Sequence, residues 1–159
     1  MRRLRIPAGI GMLLGGAMVL ALLPLLAARG APQSGGIGVV PAYHNELPKG
    51  PLPATLGPKL FTEPLVQNAY AIAGRIKKIL YQQPCYCHCD RSIGHGSLLD
   101  CYVSKHASGC DICLRETFYA AQQSSKGKTA AQIRDGINRG DWQNVDTSRY
   151  QKYSPAPAK

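Results

Sequence analysis

Glu63-Pro64-Leu65-Val66-Gln67-Asn68-Ala69-Tyr70-Ala71-Ile72-Ala73-Gly74-Arg75-Ile76-Lys77-Lys78-Ile79-Leu80 is the stretch on which the fold turns. Proline at the first helical position costs no hydrogen bond, because that amide has no partner inside the helix. Leu65, Ala69, Ile72, Ala73, Ile76, Ile79 and Leu80 then recur at spacings that draw one apolar stripe, with Gln67, Asn68, Arg75, Lys77 and Lys78 on the other face. The spacing predicts one helix, ended by Gln82-Gln83-Pro84, since a proline biases the residue before it away from helix.

Downstream, Ser97-Leu98-Leu99-Asp100 has the form of a capping box, a cap hydroxyl with a carboxylate three residues on. It predicts a brief helix to Lys105, broken by Ala107-Ser108-Gly109. A third helix is expected to start near Cys110 and carry Cys113, Leu114, Thr117, Phe118 and Ala121 along one face, with both thiols of Cys110-Asp111-Ile112-Cys113 on the apolar side. Gly127 stops it. Thr129-Ala130-Ala131-Gln132 caps a fourth, with Ile133 and Ile137 inward, that ends around Arg139-Gly140. The expectation is an all-α domain of about four helices over residues 59–142, with a Cys-rich loop from Cys85 to Gly96 and a polar, disordered tail over residues 143–159. A core of that size is thin, and cross-links or a metal commonly supplement one.

Upstream, residues 31–58 are rich in Pro and Gly without period and read as a linker. Residues 1–30 read as an export signal or membrane anchor: Met1-Arg2-Arg3-Leu4-Arg5 is a positive start, and Ile6 to Ala28 is uncharged and apolar. That run exceeds the roughly 7–15 residues of a cleavable signal core and approaches the roughly 20 that span a bilayer. With Arg2, Arg3 and Arg5 on the cytoplasmic side, the remainder is expected outside the cytoplasm, with the membrane as partner through the apolar segment. The net charge of +10 is inflated by this end, which holds four of the 19 basic and none of the 9 acidic residues. The other basic residues are scattered without aromatic interleaving, which argues against nucleic-acid binding.

All six cysteines lie in a window of 29 residues, Cys85, Cys87 and Cys89 alternating in Pro84-Cys85-Tyr86-Cys87-His88-Cys89-Asp90 and Cys101, Cys110 and Cys113 following. His88, His95 and His106 share the window. Three readings compete. In a disulfide framework the alternating cysteines need three partners around one short segment, and Cys101, Cys110 and Cys113 number three. In a metal site, Cys-x-Cys-x-Cys facing a helix-borne Cys-x-x-Cys supplies the soft thiolate and imidazole donors that select copper(I) or zinc. Thiol redox work is the third. Cys110 and Cys113 at a helix start suit it, because the helix N-terminus stabilises a thiolate, but Asp111 opposes ionisation and no βαβ context surrounds them. The Cys-x-x-Cys-His of c-type haem is absent, and Gly94-His95-Gly96-Ser97 lacks the glycine that a nucleophile elbow needs.

Pro84-Cys85-Tyr86-Cys87-His88-Cys89, Gly94-His95-Gly96-Ser97-Leu98-Leu99-Asp100-Cys101-Tyr102 and Cys110-Asp111-Ile112-Cys113 together resemble the bacterial PCYCGC or CYCXC family of exported proteins, from Leu60 to Ile137. Many members of that family look like lipoproteins and some carry selenocysteine in the motif. The resemblance implies that at least one motif position is reactive or binds a soft metal. Two departures stand out: His88 replaces the glycine of the motif, and no lipoprotein cysteine follows the apolar run. The expectation is an extracytoplasmic metal-binding module for copper or zinc, with Cys85, Cys87, Cys89, His95, Cys101, His106, Cys110 and Cys113 as ligands. Thiol redox work by Cys110 and Cys113 or by the Cys85-Cys87-Cys89 motif, and a disulfide-stapled structural or interaction domain, are the alternatives.

Overall fold

The computed structural model describes residues 38–153. The signal or anchor segment over residues 1–30 lies outside the described residues, as do residues 31–37 and 154–159. Among the described residues there are helices and no strand, and no helix is long and apolar enough to cross a membrane.

The first amphipathic stretch forms two helices, α1 (Pro64–Arg75) and α2 (Lys77–Leu80), bent at Ile76. The hydrogen-bond ladder runs on through the bend, with the Ile76 amide on the Ile72 carbonyl and the Leu80 amide on the Ile76 carbonyl. The apolar stripe therefore continues across it. Beyond the cysteine motif come a helical turn, α3 (Cys89–Ile93), and two 3-10 turns, Leu98–Tyr102 and His106–Gly109. The central helix α4 (Asp111–Ser125) and then α5 (Ala130–Arg139) follow. Thr129 and Gln132 cap α5 reciprocally, each side chain bonding the other's amide, which satisfies two otherwise orphaned donors.

Helix α4 packs against α1, α5 and the 3-10 turn Asp141–Asn144. Tyr70, Leu80, Leu98, Leu99, Tyr102, Phe118, Ile133 and Ile137 are fully buried around it. At the α4–α5 crossing, Gly136 lies against the ring of Tyr119, and a Cβ there would collide with it.

Two stretches without periodicity are nonetheless packed. From Gly38 the Pro/Gly-rich segment lies extended on the helices: Pro41 is buried, the His44 ring stacks on Tyr81 with centroids 4.0 Å apart, and the Leu56 amide donates to the Tyr102 carbonyl. Proline bars this chain from helix but leaves its side chains free to pack. At the other end Val145 is buried, Tyr150 stacks on Phe118 with centroids 3.8 Å apart, and Asn68 Nδ2 donates to the carbonyls of Tyr150 and Lys152. As far as Tyr153, the stretch expected to be a disordered tail is thus a clasp. Its few apolar side chains are isolated, so they leave no period to read.

Candidate metal centre

Pro84 and the buried Gln83 fix where the motif begins. Gln83 Nε2 donates to the carbonyls of Ile79 and Ala130, and the Gln83 backbone carbonyl accepts from the Leu98 amide, so the chain leaves α2 clamped between two elements. The cysteines do not run extended but turn. The His88 amide closes back on the Cys85 carbonyl, and His88 takes a left-handed conformation, φ 56° and ψ 34°, from which Cys89 starts α3. The turn sets Cys85 Sγ 3.4 Å from Cys87 Sγ.

Cys113, in the first turn of α4, completes a triangle: its sulfur is 3.4 Å from Cys85 Sγ and 3.8 Å from Cys87 Sγ. A tetrahedral ion with thiolates at about 2.3 Å has ligand-to-ligand edges of about 3.8 Å, so the triangle has the dimensions of one face of such a centre. Beside it, Cys89 Sγ lies 3.4 Å from Cys101 Sγ, which lies 3.3 Å from His95 Nδ1. His106 meets His95 edge to face and brings Nε2 to 3.8 Å from Cys87 Sγ. The donors of Cys89, His95, Cys101 and His106 all lie within 4.8 Å of one another.

All six cysteines are free thiols. Thiols in mutual contact cannot all ionise. Donation from its neighbours, Cys101 foremost, holds the Cys87 thiol well below the usual range, while the same residue heads the influences that push Cys85 and Cys113 up. Burial lowers the His95 imidazole, aided by the nearby His106, so its neutral, ligating form is favoured. A soft cation entering this cluster would displace the remaining thiol protons, and its affinity would therefore rise with pH.

Seven of the eight expected ligands converge: Cys85, Cys87, Cys89, His95, Cys101, His106 and Cys113. Cys110 joins none of these groups, although its thiol lies near those of Cys87 and Cys113. It is the extended N-cap of α4 rather than its first residue, and its sulfur accepts the Cys113 amide at 3.5 Å. His88 turns its ring to Tyr86 and to Asp90 Oδ1, 4.0 Å from Nδ1, and joins no ligand group.

Glu116 had no signal in the sequence, where a carboxylate on a helix reads as solvent-facing. It is fully buried, and Oε1 accepts the Tyr86 amide at 2.8 Å while Oε2 has no hydrogen-bond partner among the described residues. Burial, only partly offset by that amide, pushes its carboxyl up to about 8. Asp100 braces the other side, with Oδ2 accepting the amides of Gly96 and Ser97 and so fixing the backbone next to His95.

The family described as a protein of unknown function with PCYCGC motif matches residues 52–145. The chain belongs to that family. No curated protein and no solved structure matches it. The PCYCGC match contains every residue of the cluster and both braces. The backbone also accounts for the motif's glycine: the position before the last cysteine is left-handed, where a residue without Cβ is unstrained. Here His88 occupies it.

Proposed function

We propose that this PCYCGC-motif chain is an extracytoplasmic metal-binding module that holds copper or zinc in its Cys/His cluster, with residues 1–30 as its export signal or membrane anchor. The observation that carries the reading is the sulfur triangle of Cys85, Cys87 and Cys113, with sides of 3.4, 3.4 and 3.8 Å. Three sulfurs converging on one point form a ligand set, whereas a disulfide framework would sort them into pairs. The surroundings support it, since Cys85 and Cys113 are buried on a helix-anchored scaffold and positioned ligands bind more tightly than mobile ones.

A second reading, thiol redox work, draws on Cys87, which is half-buried and carries the most readily ionised thiol of the group. One experiment separates the two. The full chain is purified anaerobically under reducing conditions, its copper and zinc are measured by elemental mass spectrometry, and its free thiols are counted. Bound metal that is lost in Cys85→Ser and Cys113→Ser supports the module. A chain that takes up neither metal, while its thiols oxidise reversibly in pairs, overturns it.

A further inference from the structure

The seven converging donors form one continuous cluster, in which Cys85, Cys101 and Cys113, and also Cys85, Cys87 and Cys89, lie within 4.8 Å of one another, and they can be partitioned without remainder into two sets carried by different elements. Cys85, Cys87 and Cys113 form the all-sulfur triangle, held by the motif's turn and the start of α4. Cys89, His95, Cys101 and His106 form a two-sulfur, two-nitrogen quartet held by α3, the Gly94 bend and the two 3-10 turns. A quartet of mutually close donors fills the four positions of a tetrahedral ion, and a triangle of thiolates fills a three-coordinate one. A single four-coordinate ion would leave three donors unused. An ion held by the quartet would leave the buried Cys85 and Cys113 without a role, and one held by the triangle and a single further donor would leave at least one of the buried Cys89 and Cys101 without one.

We infer that the cluster is a pair of adjacent, inequivalent sites that together bind two ions, the thiolate-only triangle preferring the softer. This rests on the metal-binding reading above and adds the number of ions and their division among residues. His106 is one link between the two halves, since it belongs to the quartet and its Nε2 lies 3.8 Å from Cys87 Sγ. An ion in the quartet would fix the His106 ring beside the triangle.

The test is the stoichiometry of the full chain, reduced and metal-free, titrated anaerobically with copper(I), and separately with cadmium(II) as a thiophilic probe, and read by native mass spectrometry. The expected result is two ions, and two cadmium-113 resonances, the less shielded from the thiolate-only site. His95→Ala combined with His106→Ala should keep one ion and the less shielded resonance. Cys113→Ser should keep one ion and the other resonance. If circular dichroism shows that the buried Cys113 substitution does not fold, Cys87→Ser at the half-buried corner takes its place. One ion in the parent, three or more, or two indistinguishable resonances would overturn the inference while leaving the metal module standing. No ion at all would overturn both.

Discussion

The Tyr86 amide donates to Glu116 Oε1 across 2.8 Å, tying the middle of the cysteine motif to a carboxyl buried in α4. In the folded chain that carboxyl keeps its proton up to about pH 8, against an ordinary value of 4.5. Folding then binds a proton in the interval between, so this contribution to stability is complete at low pH and is lost as pH rises through about 8. Glu116→Gln keeps an acceptor for Tyr86 and cannot ionise. Its thermal unfolding, followed by circular dichroism on reduced, metal-free protein, should depend less on pH than the parent's and should exceed it at the alkaline end.

Cys113 and Cys110 sit three residues apart but do different work. Cys113 touches two other sulfurs, whereas Cys110 receives the Cys113 amide as a helix cap. In a copper(I) titration against a competing chelator, Cys113→Ser should weaken binding by more than about 100-fold, and Cys110→Ser by less than about 10-fold. Loss of a Ser-replaceable cap should leave helical content unchanged.

Position 88 is strained by its side chain, since a left-handed conformation costs an L-residue about 1–2 kcal/mol. Restoring the family's residue, His88→Gly, should raise the denaturation midpoint by the equivalent of up to about 1 kcal/mol, the added freedom of unfolded glycine offsetting part of the gain. Metal affinity should not change, as His88 joins no ligand group. His88→Val, branched at the carbon that crowds the backbone, should lower the midpoint instead.

Gly136 gives a prediction in which two principles disagree in sign. Helix propensity alone favours alanine over glycine by about 1 kcal/mol. The Tyr119 hydroxyl, with the ring carbon that bears it, fills the space where the methyl would go, and overpacking costs about 1–3 kcal/mol. Gly136→Ala should therefore destabilise in urea unfolding, and Tyr119→Phe in the same chain should recover part of the loss.

What was legible in the sequence was local. The proline at the head of α1, the Thr129–Gln132 cap of α5 and the Asp100 side of the Ser97 capping box are all signals carried within four residues, and each appears in the fold. The bend at Ile76 was hidden because the apolar stripe runs through it. The turn at Cys85–His88 and helix α3 were hidden because a histidine in a left-handed position sends no signal, where a glycine would. Glu116 was invisible for another reason: its buried carboxyl is met by the amide of Tyr86, 30 positions away, and no pattern along α4 reports that approach. The clustering of seven donors followed from their crowding in the sequence, but their division into a triangle and a quartet required the turns that aim them.

The contacts that build the cluster are short in sequence: His95 to Cys101 spans 6 residues, Cys89 to Cys101 spans 12, and Cys85 to Cys113 spans 28. The clasp from Asn68 to Tyr150 spans 82. Closing the longer loop costs about 1 kcal/mol more chain entropy than closing the longest of the cluster's, and local contacts form earlier in folding than distant ones. Every donor atom also precedes Leu114 in the chain. The sulfur pockets can therefore assemble while the chain beyond Cys113 is still unfolded, and an ion captured at that stage would act as a nucleus on which the rest of α4 and its partners condense.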